Sequence, residues 1–191
     1  EAVLFHHDYR RLVGDYLDPA GLTLPGFPLP VPPYYVPIQN IYRGNVGKAH
    51  STGVELGLDV PVSERLRFQA SYTRVDLKAA RSSDPVTAAA GARMEDASPR
   101  YWGSVHGVVN LARGHELDLM ARRVGAIAYG NVPAYTAIDL RYGWRPGSSF
   151  ELTVMGLNLF DRRHMEYMSN FLPTQSAYMG RQAYVQGVWR F

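Results

Sequence analysis

The sequence predicts an all-β fold: about eight antiparallel strands of membrane-crossing length, a segment of a transmembrane β-barrel. Three observations carry that reading. Apolar and polar residues alternate with period two along segment after segment, the spacing of a strand with one greasy face. Many of the segments exceed the roughly five or six residues at which globular strands stop, and reach the roughly 9 to 11 that a tilted strand needs to cross a bilayer. The connections alternate between tight turns and long loops, like the two rims of a membrane barrel.

The first strand is read at 2–16, with Val3, Phe5 and Tyr9 on its more apolar side. The second, 38–60, alternates Val54, Leu56, Leu58 and Val60 against Gly53, Glu55, Gly57 and Asp59. The third, 65–78, sets Leu66, Phe68, Ala70 and Tyr72 against Arg67, Gln69, Ser71 and Thr73. In the fourth, 99–111, Tyr101, Val105, Val109 and Leu111 oppose Trp102, Ser104, His106 and Asn110. The fifth, 115–125, opposes Leu117 and Leu119 to Glu116 and Asp118, and the sixth, 133–145, opposes Ile138, Leu140, Tyr142 and Trp144 to Asp139, Arg141 and Gly143. The seventh is read at 149–165, on Phe150, Leu152 and Val154 against Glu151 and Thr153. The last, 181–191, puts Ala183, Val185, Gly187, Trp189 and Phe191 on one face and Gln182, Tyr184, Gln186, Val188 and Arg190 on the other. Helical spacing of apolar residues is not sustained in any stretch.

Pro61 to Glu64, Ala112 to Gly114 and Pro146 to Ser148 carry the Pro, Gly and Ser of tight turns. Long loops are expected at 17–37, 79–98, 126–132 and 166–180. Trp144, Phe150, Trp189 and Phe191 all neighbour a short turn or the last residue, so they form one interfacial girdle. Glu55, Asp59, Arg67, Asp118, Arg122, Asp139, Arg141 and Glu151 alternate to the opposite side, as a hydrated polar lumen wall.

Composition excludes several classes. No run approaches the roughly 18 to 20 apolar residues of a membrane helix, so any crossing is made by strands. A net charge of +3 with scattered basic residues gives nucleic-acid binding little support. With no Cys there is no disulfide and no thiolate metal site. His6 and His7 point to opposite faces of a strand, so neither a metal nor a cofactor is expected. No H-E-x-x-H, G-x-S-x-G or phosphate loop occurs, and Ser104 with His106 lacks a third member, so no catalytic residue and no enzyme is predicted. Glu1 opens directly on a strand without Met or a targeting segment, as expected of a processed or truncated piece.

Five segments carry a family resemblance. Asn45-Val46-Gly47-Lys48-Ala49-His50-Ser51-Thr52-Gly53-Val54-Glu55 resembles the N-x-G-x-A-x-[ST]-x-G-x-E segment of TonB-dependent outer-membrane receptors. Ala70-Ser71-Tyr72-Thr73 fits the following strand of that family, and Ser98-Pro99-Arg100-Tyr101 fits its S-P-[RKE]-x strand start. Val132-Pro133-Ala134-Tyr135 through Asp139-Leu140 resembles [VI]-P-x-Y-x-x-x-D-L. Asn158-Leu159-Phe160-Asp161, with His164 and Tyr167, is similar to N-L-F-D-x-x-[HY] near the barrel's end. Each motif is weak alone; the five in order are specific, over residues from about 38 to 191.

The resemblance implies that residues 1–191 are the C-terminal third of a barrel of roughly 22 strands, without its plug domain, in the outer membrane of a Gram-negative bacterium. It implies import of a scarce nutrient, a ferric siderophore or related iron complex, driven through the TonB complex. The partners it implies are the plug of the same polypeptide, TonB through an N-terminal segment not present here, outer-membrane lipid, and the barrel assembly machinery. Trp189 and Phe191 are expected to be the assembly signal. Ligand contacts are expected from loops and upper strand ends: Tyr34, Tyr35, Tyr42, Arg43, Arg100, Trp102, Arg123, Tyr129, Tyr167, Tyr178 and Arg181, aromatic and cationic groups suited to an anionic chelate. Two alternatives make different structural predictions. A complete eight-stranded barrel of structural or adhesion type requires strand 2–16 to pair with 181–191, whereas the receptor fragment leaves an open, curved sheet. A soluble β-sandwich requires two facing sheets with the Leu, Val and Phe faces packed together.

Overall fold

A computed structural model describes residues 1–18, 40–168 and 175–191. Its strands are β1 (Ala2–Leu17), β2 (Ile41–Pro61), β3 (Leu66–Ala79), β4 (Tyr101–Asn110), β5 (His115–Val124), β6 (Tyr135–Trp144), β7 (Phe150–Leu157), β8 (Arg163–Tyr167), β9 (Ala177–Gly180) and β10 (Gln182–Trp189), with one helix, α1 (Pro85–Asp96). Eight strands form one antiparallel sheet in the order β1-β2-β3-β4-β5-β6-β7-β10, and β8 pairs with β9 in a separate two-stranded sheet. The sheet is open: its edge strands are β1 and β10, and they are not paired with each other. That pairing is what a complete eight-stranded barrel needs, so that alternative fails.

The chain divides into two compact units. The first comprises Glu1–Phe5, Gly53–Val75 and Ala97–Phe191. In it, Glu1 and Gly57 exchange backbone bonds of 2.8 and 2.9 Å, which sets β1 against β2. The register then carries one face across the sheet: Gln69, His106, Met120 and Asp139 stand in one row, and Arg67, Val108, Asp118 and Arg141 in the next. The other face carries Phe68, Gly107, Leu119 and Leu140 in a row, and Leu66, Val109, Leu117 and Tyr142 in another. Arg67, Asp118, Arg122, Asp139, Arg141 and Glu151, all expected on the lumen wall, fall on the polar face, and Asp59 joins them through its bond to Arg67.

Among the described residues no second layer covers the apolar face. Ala49, Val132 and Ala137 are the buried hydrophobic residues among those described, whereas Leu119 is 51% exposed and Val185 68%. A sandwich would bury such residues against a facing sheet ≈ 10 Å away. Here that belt suits a lipid surround. At its short-turn edge three of the four predicted girdle residues form a chain of rings: Trp144 stacks on His115 at 5.9 Å, meets Phe150 edge-on at 6.5 Å, and Phe150 lies 5.7 Å from Trp189, while Phe191 is fully exposed.

The tight turns are closed by local chemistry. Ser63 Oγ accepts the Arg65 and Leu66 amides at 3.3 and 3.1 Å between β2 and β3. Between β4 and β5 a single 3-10 turn, Ala112–Gly114, places Arg113 at φ 64° and Gly114 at φ 78°. Gly114 is required there twice over, since a side chain would meet both a left-handed backbone and the Arg145 carbonyl.

Two expectations need correction. The seventh strand does not run from 149 to 165: β7 stops at Leu157 because Asn158 turns left-handed at φ 52° and gives its amide to Asp139 Oδ1 at 2.8 Å instead of to the ladder. Residues 163–165 belong to β8, and the expected loop 166–180 contains the end of β8 and all of β9. β10 rejoins β7 in the sheet, from Gln182 opposite Leu157 to Trp189 opposite Phe150. The loop expected at 79–98 holds α1, where no helix was foreseen.

The second unit comprises His6–Thr52 and Asp76–Asp96. It contains α1, started by an N-cap at Asp84 whose Oδ1 accepts the Thr87 amide at 2.7 Å, with Pro85 at the first helical position. The helix is fastened to β1 by two further bonds, Leu17 N to Asp84 Oδ2 at 2.9 Å and Thr87 Oγ1 to the Asp15 carbonyl at 3.1 Å.

Candidate functional site

The polar face of the first unit carries three groups of ion pairs and hydrogen bonds. Asp59 accepts from Arg67 Nε at 2.8 Å and from Gln69 Nε2 at 3.1 Å. Ser71 and Ser104 share a hydrogen bond of 2.8 Å, which commits Ser104 away from His106, and His106 faces Asp118 at 4.0 Å. Arg141 is the hub: its Nη1 donates to Glu116 and to Asp118 at 2.6 Å each, and Nη2 lies 3.6 Å from Glu151. Glu151 also faces Arg145 at 3.4 Å and Arg190 at 3.7 Å. Charges this concentrated need either water or a polar partner surface, since an unpaired charge in a dry wall is costly.

At the loop-side end of the same unit a second cluster gathers where β7 leaves the sheet. His164 is 8% exposed, lies flat on Tyr135 at 4.0 Å, and has Asp161 on Nδ1 at 3.1 Å and Glu166 on Nε2 at 3.0 Å. Glu166 is also 3.7 Å from Arg122. Asn158 Nδ2 donates to the Met179 carbonyl at 3.2 Å, tying the turn after β7 to β9. The β8–β9 sheet is thereby anchored to the main sheet by polar contacts.

The expected ligand residues are distributed as follows. Tyr34 and Tyr35 lie outside the described residues. In the second unit, Tyr42 is exposed, its hydroxyl 3.5 Å from Asp18, and Arg43 makes a forked pair with Asp15 at 2.8 and 3.3 Å. That unit also holds a 230 Å³ cavity between α1 and the β1–β2 pair, lined by Leu12, Val46, Lys48, Arg81 and Met94 among others. In the first unit, Arg100 is exposed at the approach to β4, and Trp102 stands on the polar face beside Thr73 and Val124. Arg123 stands on the apolar face and donates to Thr136 Oγ1 at 3.0 Å. Tyr129 belongs to the β5–β6 hairpin, which the Ile127–Val132 bridge closes and Gly130 (φ 93°) and Asn131 (φ 51°) turn. Tyr167 and Tyr178 both belong to the β8–β9 sheet, opposite Ala177 and Met165, with Arg163 lying 4.7 Å over the Tyr178 ring, and Arg181 is exposed between β9 and β10. Trp189 is exposed beside Phe150, and Phe191 is fully exposed.

A family model described as TonB dependent receptor-like, beta-barrel, matches residues 1–159. The chain belongs to that family. A curated relative, the metal-pseudopaline receptor CntO of Pseudomonas aeruginosa, is 30% identical over 139 residues, which are 68% of this chain and 19% of that protein. The chain thus spans about a fifth of the relative's length. The ferric enterobactin receptor PfeA of Pseudomonas aeruginosa, solved as a mutant, superposes with a TM-score of 0.67 at 17% identity, covering 98% of this chain and 28% of that one. The ferric yersiniabactin uptake receptor FyuA of Yersinia pestis gives a TM-score of 0.56 at 24% identity, covering 78% and 25%. These likenesses confirm the receptor-barrel fold.

Within a TonB-dependent receptor barrel, what sequence reasoning missed is the pairing in the His164 cluster: Asn158, Asp161 and His164 stood in one motif, Tyr135 and Asp139 in another and Arg122 on the polar wall, but no local spacing could announce that Tyr135 meets His164, Asp139 meets Asn158 and Arg122 meets Glu166, a residue not singled out.

Proposed function

We propose that this chain is the C-terminal third of the barrel of an outer-membrane active-transport receptor, which imports a scarce metal chelate such as a ferric siderophore in a TonB-dependent way. The observation that carries the reading is the two-faced open sheet of a family member: a charge network on one face, an uncovered apolar belt with an aromatic girdle on the other. In a barrel, the apolar belt faces lipid and the charged face lines a hydrated interior. There the Arg141 and Arg67 networks meet the polar surface of a plug domain supplied by another part of the polypeptide.

The rim residues suit the ligand class. Arg100, Trp102, Tyr129, Tyr167, Tyr178 and Arg181 in one unit, and Tyr42 and Arg43 in the other, combine guanidinium forks with aromatic faces, which hold multidentate organic anions through charge and stacking. The relatives are receptors for metal-pseudopaline, ferric yersiniabactin and ferric enterobactin, each a metal-bearing ligand. Transport of such a complex makes and breaks no covalent bond. The test is uptake of radiolabelled ferric enterobactin, ferric yersiniabactin and metal-loaded pseudopaline by metal-starved cells that carry the full-length receptor as their only one. Accumulation of at least one complex that disappears without TonB is expected. Accumulation of none, or accumulation that persists without TonB, overturns the reading.

A further inference from the structure

Positive charge is not excluded from the apolar face. In one cross-strand row the register sets Tyr72, Gly103, Arg123 and Thr136 side by side, and one step toward the loops Arg74 faces Tyr101. Both arginines therefore share the face of Leu119 and Leu140, and both are exposed. Arg123 spends one N–H on Thr136, and Arg74 has no side-chain hydrogen bond or ion pair among the described residues. An arginine on a lipid-facing surface is tolerated only near the interface. The loop-side ends of β3 and β5 supply that depth, and phosphate oxygens are the counter-ions available there.

The second observation is the relief of the surface beside them. Gly103 contributes no side chain on β4, and in the next row Ala70 and Ala121, on either side of Val105, contribute one carbon each, so the face sinks into an open trough of 490 Å³. Leu56, Leu58, Tyr72 and Val105 contribute to its walls, and Arg123 belongs to its lining. The trough is fixed by the backbone: a Cβ on Gly103 would come within 2.8 Å of the Ser71 carbonyl oxygen. An acyl chain laid in it gains contacts on three sides where a flat face offers one. Arg74 and Arg123 flank β4, two strand spacings and one two-residue step apart, or about 12 Å between Cα atoms. Two extended arginines close that separation onto a single headgroup.

We propose that this face binds an anionic, phosphate-bearing membrane lipid of the loop-side leaflet, with one acyl chain in the trough over Gly103 and the headgroup held by Arg74 and Arg123. The proposal rests on the outer-membrane reading above. It is tested on the full-length receptor in detergent by native mass spectrometry, with bisphosphorylated lipid A, dimyristoyl phosphatidylcholine and inorganic phosphate as probes. The wild type retains lipid A about tenfold better than phosphatidylcholine and does not retain inorganic phosphate, the scale two interfacial guanidiniums support. Arg74→Gln with Arg123→Gln abolishes the preference, Arg123→Lys keeps it, and Ala121→Leu, which fills the trough, lowers lipid A retention. Equal retention of the two lipids by the wild type, an unchanged preference in the double glutamine variant, or unchanged retention in Ala121→Leu overturns the site. Heat-modifiable gel mobility shows that each variant is a folded barrel; should the double variant lose it, Arg123→Gln alone is held to the same outcomes. A wild type without that mobility in the outer-membrane fraction sinks the membrane reading itself, whereas a folded wild type without lipid preference sinks only the lipid site.

Discussion

Arg141 offers the sharpest perturbation of the polar wall, because one guanidinium answers three carboxylates. Arg141→Met keeps the length of the stem and removes the charge. Two charge-assisted bonds of 2.6 Å disappear, to Glu116 and Asp118, and Glu151 loses its 3.6 Å contact while keeping Arg145 and Arg190. The side chains are 25% exposed for Arg141, 15% for Asp118 and 27% for Glu116, so water replaces the lost donors only in part. Charge-assisted bonds contribute about 1.5 to 3 kcal/mol each, and stranding a fully buried charge costs about 3 to 5. Partial hydration places this variant near the lower bound, a loss of about 3 kcal/mol. Arg141→Lys carries the charge without the fork and recovers about 1 kcal/mol of it. The measurement is urea unfolding of the full-length receptor in detergent, followed by tryptophan fluorescence, together with a double-mutant cycle using Asp118→Asn. The cycle gives a coupling of about 1 to 2 kcal/mol if the contact is made as described. A cost below about 0.5 kcal/mol, or a coupling indistinguishable from zero, refutes the hub.

Four further outcomes follow from the geometry. Gly114→Ala forces a side chain onto a left-handed backbone and into the Arg145 carbonyl, so it lowers the unfolding midpoint by more than the ~1 kcal/mol of an ordinary Gly→Ala change, and an unshifted midpoint contradicts the turn. Asp84 sits in the loop before α1, and the Thr87 amide, followed by the Leu17 amide, holds its carboxyl below the ordinary carboxylate value. Its contribution is therefore complete above roughly pH 4 and lost as pH falls through its lowered pKa; the protection factors of the Val86 to Ala88 amides, exchange rates corrected for their intrinsic pH dependence, are flat from pH 5 to 8 in the wild type and lower throughout in Asp84→Ala. Asp139→Ala deprives the Asn158 amide of its acceptor and loosens the turn that begins the β8–β9 excursion, read as faster limited proteolysis between residues 158 and 168, and unchanged cleavage counts against the anchor. Phe191→Ala, at the proposed assembly signal, reduces the amount of receptor at the surface without changing its affinity for ligand, and the reverse pattern removes that role.

The sequence made sidedness legible because period two is a property of the backbone. Asp118 and Arg141 could be assigned to one face from alternation alone, and they meet there. The short turns were equally open to reading, since Gly114 and Ser63 are present for conformations and hydrogen bonds other residues supply poorly. Helix α1 escaped because the test applied was the wrong one: none of its residues is buried, so no apolar stripe exists to be found. It stands on its ends, with Asp84 at the start and Glu95 accepting the Ala79 amide at 2.7 Å near the finish, and Asp84-Pro85 was the signal to read. The end of β7 was hidden for a different reason. Alternation already fades after Val154 and marks no boundary at Leu157; what stops the strand is Asp139, nineteen residues upstream of Asn158 and brought alongside only by the fold.

Register is therefore the quantity that alternation leaves open and on which the site depends. Slipping β6 against β5 by two residues would keep Arg141 on the polar face yet could set it opposite Met120, with every face assignment intact and the hub of the network broken. What holds the register is turn geometry: the Ala112–Gly114 turn fixes β4 against β5, while the Gly114 carbonyl accepts the Arg145 amide at 2.8 Å and pins the end of β6 to the same turn. Strain at Gly114 and loss of Arg141 thus act on one physical arrangement from opposite ends. If they do, the two variants combine non-additively although their side chains never touch, because a sheet whose register has loosened no longer has the Arg141 network to lose.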